Sequence, residues 1–78
     1  MTEDEIFQKA FDLYDQGMLE ESIKFYTKYI ELKPDHSSTP YYNRGNAYGS
    51  LGENEKAVAD FDEADRLGKT QERNWVKK

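Results

Sequence analysis

Residues 41–61 read YYNRGNAYGSLGENEKAVADF, and this stretch decides the fold. Tyrosines and small residues recur at helical spacing as far as Gly52, and Ala57 and Phe61 resume the spacing beyond it. A glycine at the end of such a stretch is typical of a helix end, where the backbone turns left-handed. The stretch therefore predicts two helices joined by a short turn at Gly52.

The residues before this stretch predict a similar pair of helices. Thr2 and Glu5 form a capping box at the start of the first helix, and Gly17 stands where a left-handed cap would end it. A second periodic stretch follows and runs to Pro34. The apolar residues that recur at helical spacing in these two helices are Ile6, Ala10, Leu13, Ile23, Phe25, Tyr26, Tyr29, Ile30 and Leu32.

Capping signals also divide the second half. Thr39 is predicted to cap the third helix, with Pro40 at its first position, where a missing amide hydrogen does no harm. Asn54 is predicted to cap the fourth helix and Gly68 to close it, so that residues 70–78 form a short last segment. The apolar positions of the fourth helix are Ala57, Val58, Phe61, Ala64 and Leu67.

The two halves superpose with a period of 35 residues. The shift places Gly17 over Gly52 and superposes several apolar residues in both helices of each pair. The superposed apolar pairs are Ile6 with Tyr41, Phe7 with Tyr42, Leu13 with Tyr48, Ile23 with Val58, Tyr26 with Phe61, and Leu32 with Leu67. An internal repeat of two antiparallel helices is the strongest signal in the sequence.

The repeat resembles the tetratricopeptide repeat, a helix pair of about 34 residues. The second unit carries the resemblance through Tyr41-Tyr42-Asn43-Arg44-Gly45-Asn46-Ala47-Tyr48, Leu51-Gly52, Glu55-Lys56-Ala57-Val58 and Phe61. The first unit carries it through Ile6, Ala10, Leu13-Tyr14, Gly17, Glu20-Glu21, Ile23, Tyr26, Leu32 and Pro34.

The resemblance implies an all-α chain in which two antiparallel helix pairs form a right-handed superhelix. Residues 1–78 would be one domain, with repeats over 3–36 and 39–68 and a solvating, capping helix over 70–78. Ile30 of the first unit corresponds to Asp65 of the second, a change expected where no further repeat follows. Trp75 would then cover Phe61, Ala64 and Leu67.

Small residues in the predicted helices indicate close packing. Ala10, Gly45, Ala57 and Ala64 would let neighbouring helices approach, while the aromatic residues fill the gaps. Glycine inside a helix costs about 1 kcal/mol relative to alanine, so Gly45 and Gly49 suggest that another backbone comes near.

The resemblance also implies a concave groove lined by the first helix of each unit. The residues that would line it are Phe7, Phe11, Tyr14, Tyr42, Asn43 and Asn46. Aromatic side chains supply contact area at low entropic cost and amides can bond a peptide backbone, so we expect an adaptor or scaffold module that binds a peptide or protein.

Two alternatives to an open groove remain. Phe7 and Phe11 could pack against Tyr42 and widen the core, since large exposed apolar patches are uncommon on monomers. The aromatic stripe of Phe7, Phe11 and Tyr14 could instead pair with a second copy of the chain, because two repeats are fewer than the three usually needed for stability. A homodimer is therefore the alternative to a separate peptide ligand.

Anion and metal sites are poorly supported. Some members of the family hold an acidic peptide tail in a carboxylate clamp, but here Phe7 and Phe11 replace the first unit's Lys and Asn, although Asn43 occupies a clamp position. The acidic residues Asp60, Asp62, Glu63 and Asp65 are expected on a solvated helix face, not around a metal. Asp35 and the lone His36 are expected to form a turn.

Composition excludes several classes of function. The 78 residues include no cysteine and have a net charge of −5, and the four basic residues among the last ten form only a weak basic region on an otherwise acidic chain, so nucleic acid is a poor partner. No apolar run is long enough for a signal peptide or a membrane span, which makes a cytoplasmic protein the default expectation. No nucleophile with a base and no metal cluster is evident, so we expect neither an enzyme nor a cofactor.

Overall fold

The structure, a computed structural model, describes the backbone of residues 1–76 and the side chains of residues 1–68. Its described part contains four helices, α1 (Glu3–Asp15), α2 (Leu19–Leu32), α3 (Thr39–Ser50) and α4 (Asn54–Val76), and no strand. Each helix packs against the next one along the chain, and α1 also contacts α3. The predicted all-α arrangement of two helix pairs is confirmed.

The start of α1 was predicted correctly, whereas α3 and α4 each begin one residue earlier than predicted. The Thr2 amide donates to Glu5 Oε1 at 2.8 Å, and the Glu5 amide donates to Thr2 Oγ1 at 3.1 Å, which is the expected capping box. Thr39 is not the cap of α3 but its first residue, and Ser38 occupies the cap position without a side-chain capping bond. The Ser37 hydroxyl accepts the Thr39 amide at 3.1 Å. Asn54 is likewise the first residue of α4.

The turns within the two helix pairs have the same hydrogen bonds. Gly17 and Gly52 adopt φ of 83° and 84°, the left-handed conformation that glycine reaches without strain. The Met18 amide donates to the Leu13 carbonyl at 2.9 Å. The corresponding bond in the second pair, in which both residues lie 35 positions later, runs from the Glu53 amide to the Tyr48 carbonyl, also at 2.9 Å. The sequence period is therefore a structural period.

The predicted end of α4 at Gly68 is wrong, because the helix continues to Val76. A glycine ends a helix when it turns left-handed, and Gly68 instead stays helical. The residues after it are compatible with a helix and include no proline, so the cost of about 1 kcal/mol for a helical glycine is not enough to end α4. The predicted capping helix over 70–78 extends beyond the described backbone, and the contact of Trp75 lies outside the described side chains.

The core follows one stripe on each helix. Its buried apolar residues are Ile6, Ala10 and Leu13 on α1, Tyr26, Tyr29 and Ile30 on α2, Tyr41 and Ala47 on α3, and Ala57, Ala64 and Leu67 on α4. Ser22 is fully buried among them, and its hydroxyl donates to the Ala10 carbonyl at 2.9 Å. Leu32 and Val58 lie off these stripes and are 54% and 56% exposed.

Candidate functional site

Three of the six predicted groove residues meet around Tyr26 of α2. The rings of Phe7 and Tyr14 stand edge-on to the Tyr26 ring, with centroids 5.8 Å and 6.4 Å away. The Asn43 Nδ2 donates to the Tyr26 hydroxyl at 2.9 Å. Tyr26 has no exposed surface. Tyr26 therefore contacts both the aromatic side chains of α1 and the Asn43 amide of α3 from the buried side.

The Tyr26 hydroxyl is adapted to remain neutral. Burial raises its pKa, and the bond from Asn43 opposes only part of that rise. A neutral phenol can accept from an amide without a desolvated charge, so the contact between Tyr26 and Asn43 is stable at physiological pH. Asn43 is therefore part of the contact between the two repeats as well as a predicted groove residue.

Two other predicted residues remain accessible. Phe11 is 43% exposed, and its ring centroid lies 6.5 Å from that of Tyr14. Tyr42 is 55% exposed, and its ring centroid lies 5.6 Å from that of Phe61. The sixth, Asn46, follows Tyr42 by one helical turn and is partly buried. The six residues thus divide into a fixed inner set and accessible side chains beside it.

Phe7 is half-buried and contacts aromatic rings of its own helix pair. Its ring lies 5.2 Å from Tyr29 in addition to its contact with Tyr26. A shift of 35 residues carries the pair Phe7 and Tyr26 onto Tyr42 and Phe61, whose rings also touch. The alternative of a widened core expected Phe7 to pack against Tyr42, whereas the ring contacts of Phe7 are with Tyr26 and Tyr29.

A buried ion pair between α3 and α4 was not predicted. Arg44 Nε donates to Asp60 Oδ2 and Arg44 Nη2 donates to Asp60 Oδ1, both at 2.8 Å. The third nitrogen, Nη1, donates to Thr27 Oγ1 of α2 at 3.0 Å. The guanidinium also lies 5.8 Å from the ring centroids of Tyr41 and Tyr48. Arg44 therefore connects both repeats.

The expectation that Asp60 lies on a solvated helix face is wrong. Asp60 is 5% exposed, whereas Asp62 and Asp65 are exposed and Glu63 pairs with Arg66. The bonds to Asp60 raise the pKa of Arg44, so the guanidinium stays charged. The sequence held a signal for this, because Asp60 lies three residues after Ala57 and four before Ala64 on the buried stripe.

Within the part of the chain whose side chains are described, no group of three or more His, Cys, Asp or Glu residues is placed to hold a metal ion. His36 lies in the turn before α3, where its amide donates to the Lys33 carbonyl at 3.3 Å. None of the described helices combines the length and apolarity of a membrane span.

A shallow depression lies between the turns of the two helix pairs. Its lining residues are Gly17, Met18, Leu19, Glu20, Glu21 and Leu51. Met18 and Leu51 are 45% and 38% exposed there. It is an open surface without a buried polar group directed into it.

Comparison with known families identifies the repeat. The family described as Tetratricopeptide repeat matches residues 7–36 and 38–69, one match for each helix pair. Comparisons with curated proteins and with solved structures gave no match. The two matches together cover most of the chain and agree with the period of 35 residues in the turns and ring contacts. The chain therefore belongs to the tetratricopeptide repeat family, whose members generally mediate protein–protein interactions.

Proposed function

We propose that this protein is an adaptor module that binds a peptide or protein segment on the face formed by α1 and α3. The observation that carries the proposal is the exposure of two aromatic rings, Phe11 of α1 at 43% and Tyr42 of α3 at 55%. Aromatic side chains are enriched in the centres of protein interfaces because they bury a large area with few rotatable bonds.

The neighbouring residues support this face as a preformed surface. Phe7, Tyr14 and Asn43 are held by Tyr26, so a ligand would not have to order them. Binding to a rigid surface avoids the cost of about 0.5–1.5 kcal/mol for each side chain that must be immobilised. Asn46 adds an amide that can bond the backbone of an extended peptide.

The test is selection of peptides from a displayed random library on the immobilised protein. Selected peptides should bind the double variant Phe11→Ala/Tyr42→Ala at least about tenfold more weakly, since interface aromatics commonly contribute more than 1 kcal/mol each. Val58→Ala is the control, because Val58 is an exposed apolar residue of α4 outside the face. Peptides that bind the double variant and the native chain equally would rule out this face.

Self-assembly is the second candidate function. The same two exposed rings favour it, because two repeats are fewer than the three usually needed for stability and a second copy could cover the rings. Light scattering across a concentration series, with thermal unfolding at each concentration, separates the candidates. A homodimer whose melting temperature rises with concentration supports self-assembly, whereas a stable monomer leaves the face for a separate ligand.

The proposal extends to location and excludes other ligands. We infer a cytoplasmic protein that acts without catalysis, cofactor or metal and that binds protein rather than nucleic acid or membrane. The acidic net charge of −5 supports the exclusion of nucleic acid. Fluorescence microscopy of the tagged chain and a binding assay with labelled duplex DNA test these two points.

A further inference from the structure

Most of the charges on the two helices that form the proposed binding face are negative. The only charged residue of α3 is Arg44, and both edges of its guanidinium are occupied by Asp60 and Thr27. The only basic residue of α1 is Lys9. The acidic residues of α1 are Glu3, Asp4, Glu5, Asp12 and Asp15. A ligand on this face therefore meets carboxylates and no available guanidinium.

Two of these carboxylates lie near the aromatic residues Phe7 and Phe11 on α1. Asp4 precedes Phe7 by three residues and Phe11 by seven, and Asp15 follows Phe11 by four, so helical spacing places all of them on one side of α1. Both aspartates are exposed, and within residues 1–68 neither has an ion-pair partner. The aromatic stripe thus has an acidic group near each end.

The position of Asp15 is not explained by the stability of α1. It lies in the last turn of the helix, where the helix dipole disfavours a negative charge, and that turn contains no basic residue. Glu3 and Glu5 differ from it, since Glu3 pairs with Lys33 at 3.3 Å and Glu5 completes the capping box. A carboxylate that costs helix stability and lies beside exposed rings fits a role in recognition.

We propose that the occupant of this face is a basic peptide segment, in which lysine or arginine residues flank an aromatic or aliphatic anchor. The inference rests on the proposed peptide-binding function and adds the chemical class of the ligand. The apolar anchor would contact Phe11 and Tyr42, while the flanking cations would approach Asp4 and Asp15. An acidic peptide is disfavoured, because among the described side chains of α1 and α3 Arg44 is already paired with Asp60, and Lys9, two residues before Phe11, lies on the opposite side of α1.

The test compares two fluorescein-labelled peptides by fluorescence anisotropy. One has lysines on both sides of a Phe-Leu pair, and the other has glutamates in place of the lysines. The lysine peptide should bind at least about tenfold more tightly at low salt. Its advantage should fall several-fold when the salt is raised from about 0.05 M to about 0.5 M, because charge interactions are screened beyond a Debye length of about 10 Å at 0.1 M. Equal affinities, or an advantage that does not depend on salt, would overturn the proposal.

Matched charge variants identify the carboxylates involved. The variant Asp4→Asn/Asp15→Asn should bind the lysine peptide about threefold to tenfold more weakly, since an exposed ion pair contributes only about 0.2–1 kcal/mol. Asp62→Asn makes the same type of change on the exposed side of α4 and should leave the affinity unaltered. Circular dichroism during urea unfolding verifies that each variant is folded. If Asp62→Asn, which removes one charge, costs half or more of the binding free energy lost in the double variant, which removes two, the effect is a general attraction and the assigned site is contradicted.

Failure of this inference can be distinguished from failure of the proposed function. If library-selected peptides bind through Phe11 and Tyr42 but lack basic residues, the binding face stands and the ligand class is wrong. If neither labelled peptide binds and the chain is a homodimer that buries the rings, both proposals are wrong and the occupant is a second copy. Binding of the lysine peptide that survives Phe11→Ala/Tyr42→Ala but not Asp4→Asn/Asp15→Asn would contradict the apolar anchor.

Discussion

Gly45 of α3 and Phe61 of α4 approach so closely that a Cβ atom on Gly45 would lie 2.8 Å from Cε1 and 2.9 Å from Cδ1 of the Phe61 ring. The Cβ of Asp60 would be 3.2 Å away. Phe61 in turn touches Tyr42, and Asp60 holds Arg44, so the ring has little room to move. The absence of a side chain at Gly45 therefore allows α3 and α4 to approach each other this closely.

Gly45→Ala should destabilise the fold, whereas Gly49→Ala should stabilise it. A Cβ on Gly49 would meet only Ala57 Cβ, at an ordinary distance of 3.8 Å, so alanine gains up to about 1 kcal/mol in helix propensity. At Gly45 overpacking of about 1–3 kcal/mol outweighs that gain. Urea unfolding followed by circular dichroism measures both. A Gly45→Ala variant as stable as Gly49→Ala would contradict the close approach.

The repeat could be predicted because its signals are local. A capping box at Thr2 and the glycines at the two turns act within a few residues of themselves, so sequence spacing alone locates them. Gly68 gave the same signal and was misleading, since whether a glycine turns left-handed depends on the residues that come after it. The prediction from Gly45 and Gly49 was right about close packing for Gly45, where the neighbour is a side chain rather than a backbone.

The candidate site was predicted less completely because its contacts join distant helices. The spacing of Phe7 and Tyr42 identifies a stripe, but only the fold decides that Phe7 packs inward while Tyr42 is exposed. Asp60 was grouped with its acidic neighbours, although its place between Ala57 and Ala64 indicated burial. Its partner could not be inferred from spacing, since Arg44 lies sixteen residues away on another helix.

The pair of Arg44 and Asp60 should show strong coupling in a double-mutant cycle. Asp60→Asn alone leaves a largely buried guanidinium without its counter-ion and should cost about 2–4 kcal/mol. Arg44→Met combined with Asp60→Asn should cost clearly less than the sum of the two single changes. Thr27→Val is a control that removes one hydrogen bond and should cost about 1 kcal/mol. Additivity within about 0.5 kcal/mol, measured by urea unfolding, would show that the pair does not act as a unit.

Stability should fall at alkaline pH partly through Tyr26. Burial raises the pKa of Tyr26, and of Tyr41, above the ordinary value of 10.0, so the folded state holds these protons more tightly than the unfolded state. Their contribution is complete below about pH 10 and is lost as the pH rises through the folded-state pKa.

The variant Tyr26→Phe provides the measurement for this pH dependence. It should cost about 1 kcal/mol at about pH 8, because the Asn43 amide loses its acceptor, but its free energy of unfolding should decline less steeply above about pH 10 than that of the native chain. Adding Tyr41→Phe should flatten the decline further. Urea unfolding at several pH values tests this, and an unchanged slope in both variants would contradict the role of the buried phenols.

The two turn glycines should respond equally to substitution. Alanine at Gly17 or Gly52 would be forced into the left-handed conformation at a cost of about 1–2 kcal/mol, and its Cβ would meet nothing within 4 Å, so the cost is conformational and not steric. Asparagine tolerates this conformation better and should cost less at either position. Urea unfolding midpoints of the four single variants measure these costs. Because the turns share their hydrogen bonds across the period of 35 residues, a clear difference between the two alanine variants would mean that the repeats are not equivalent at their turns.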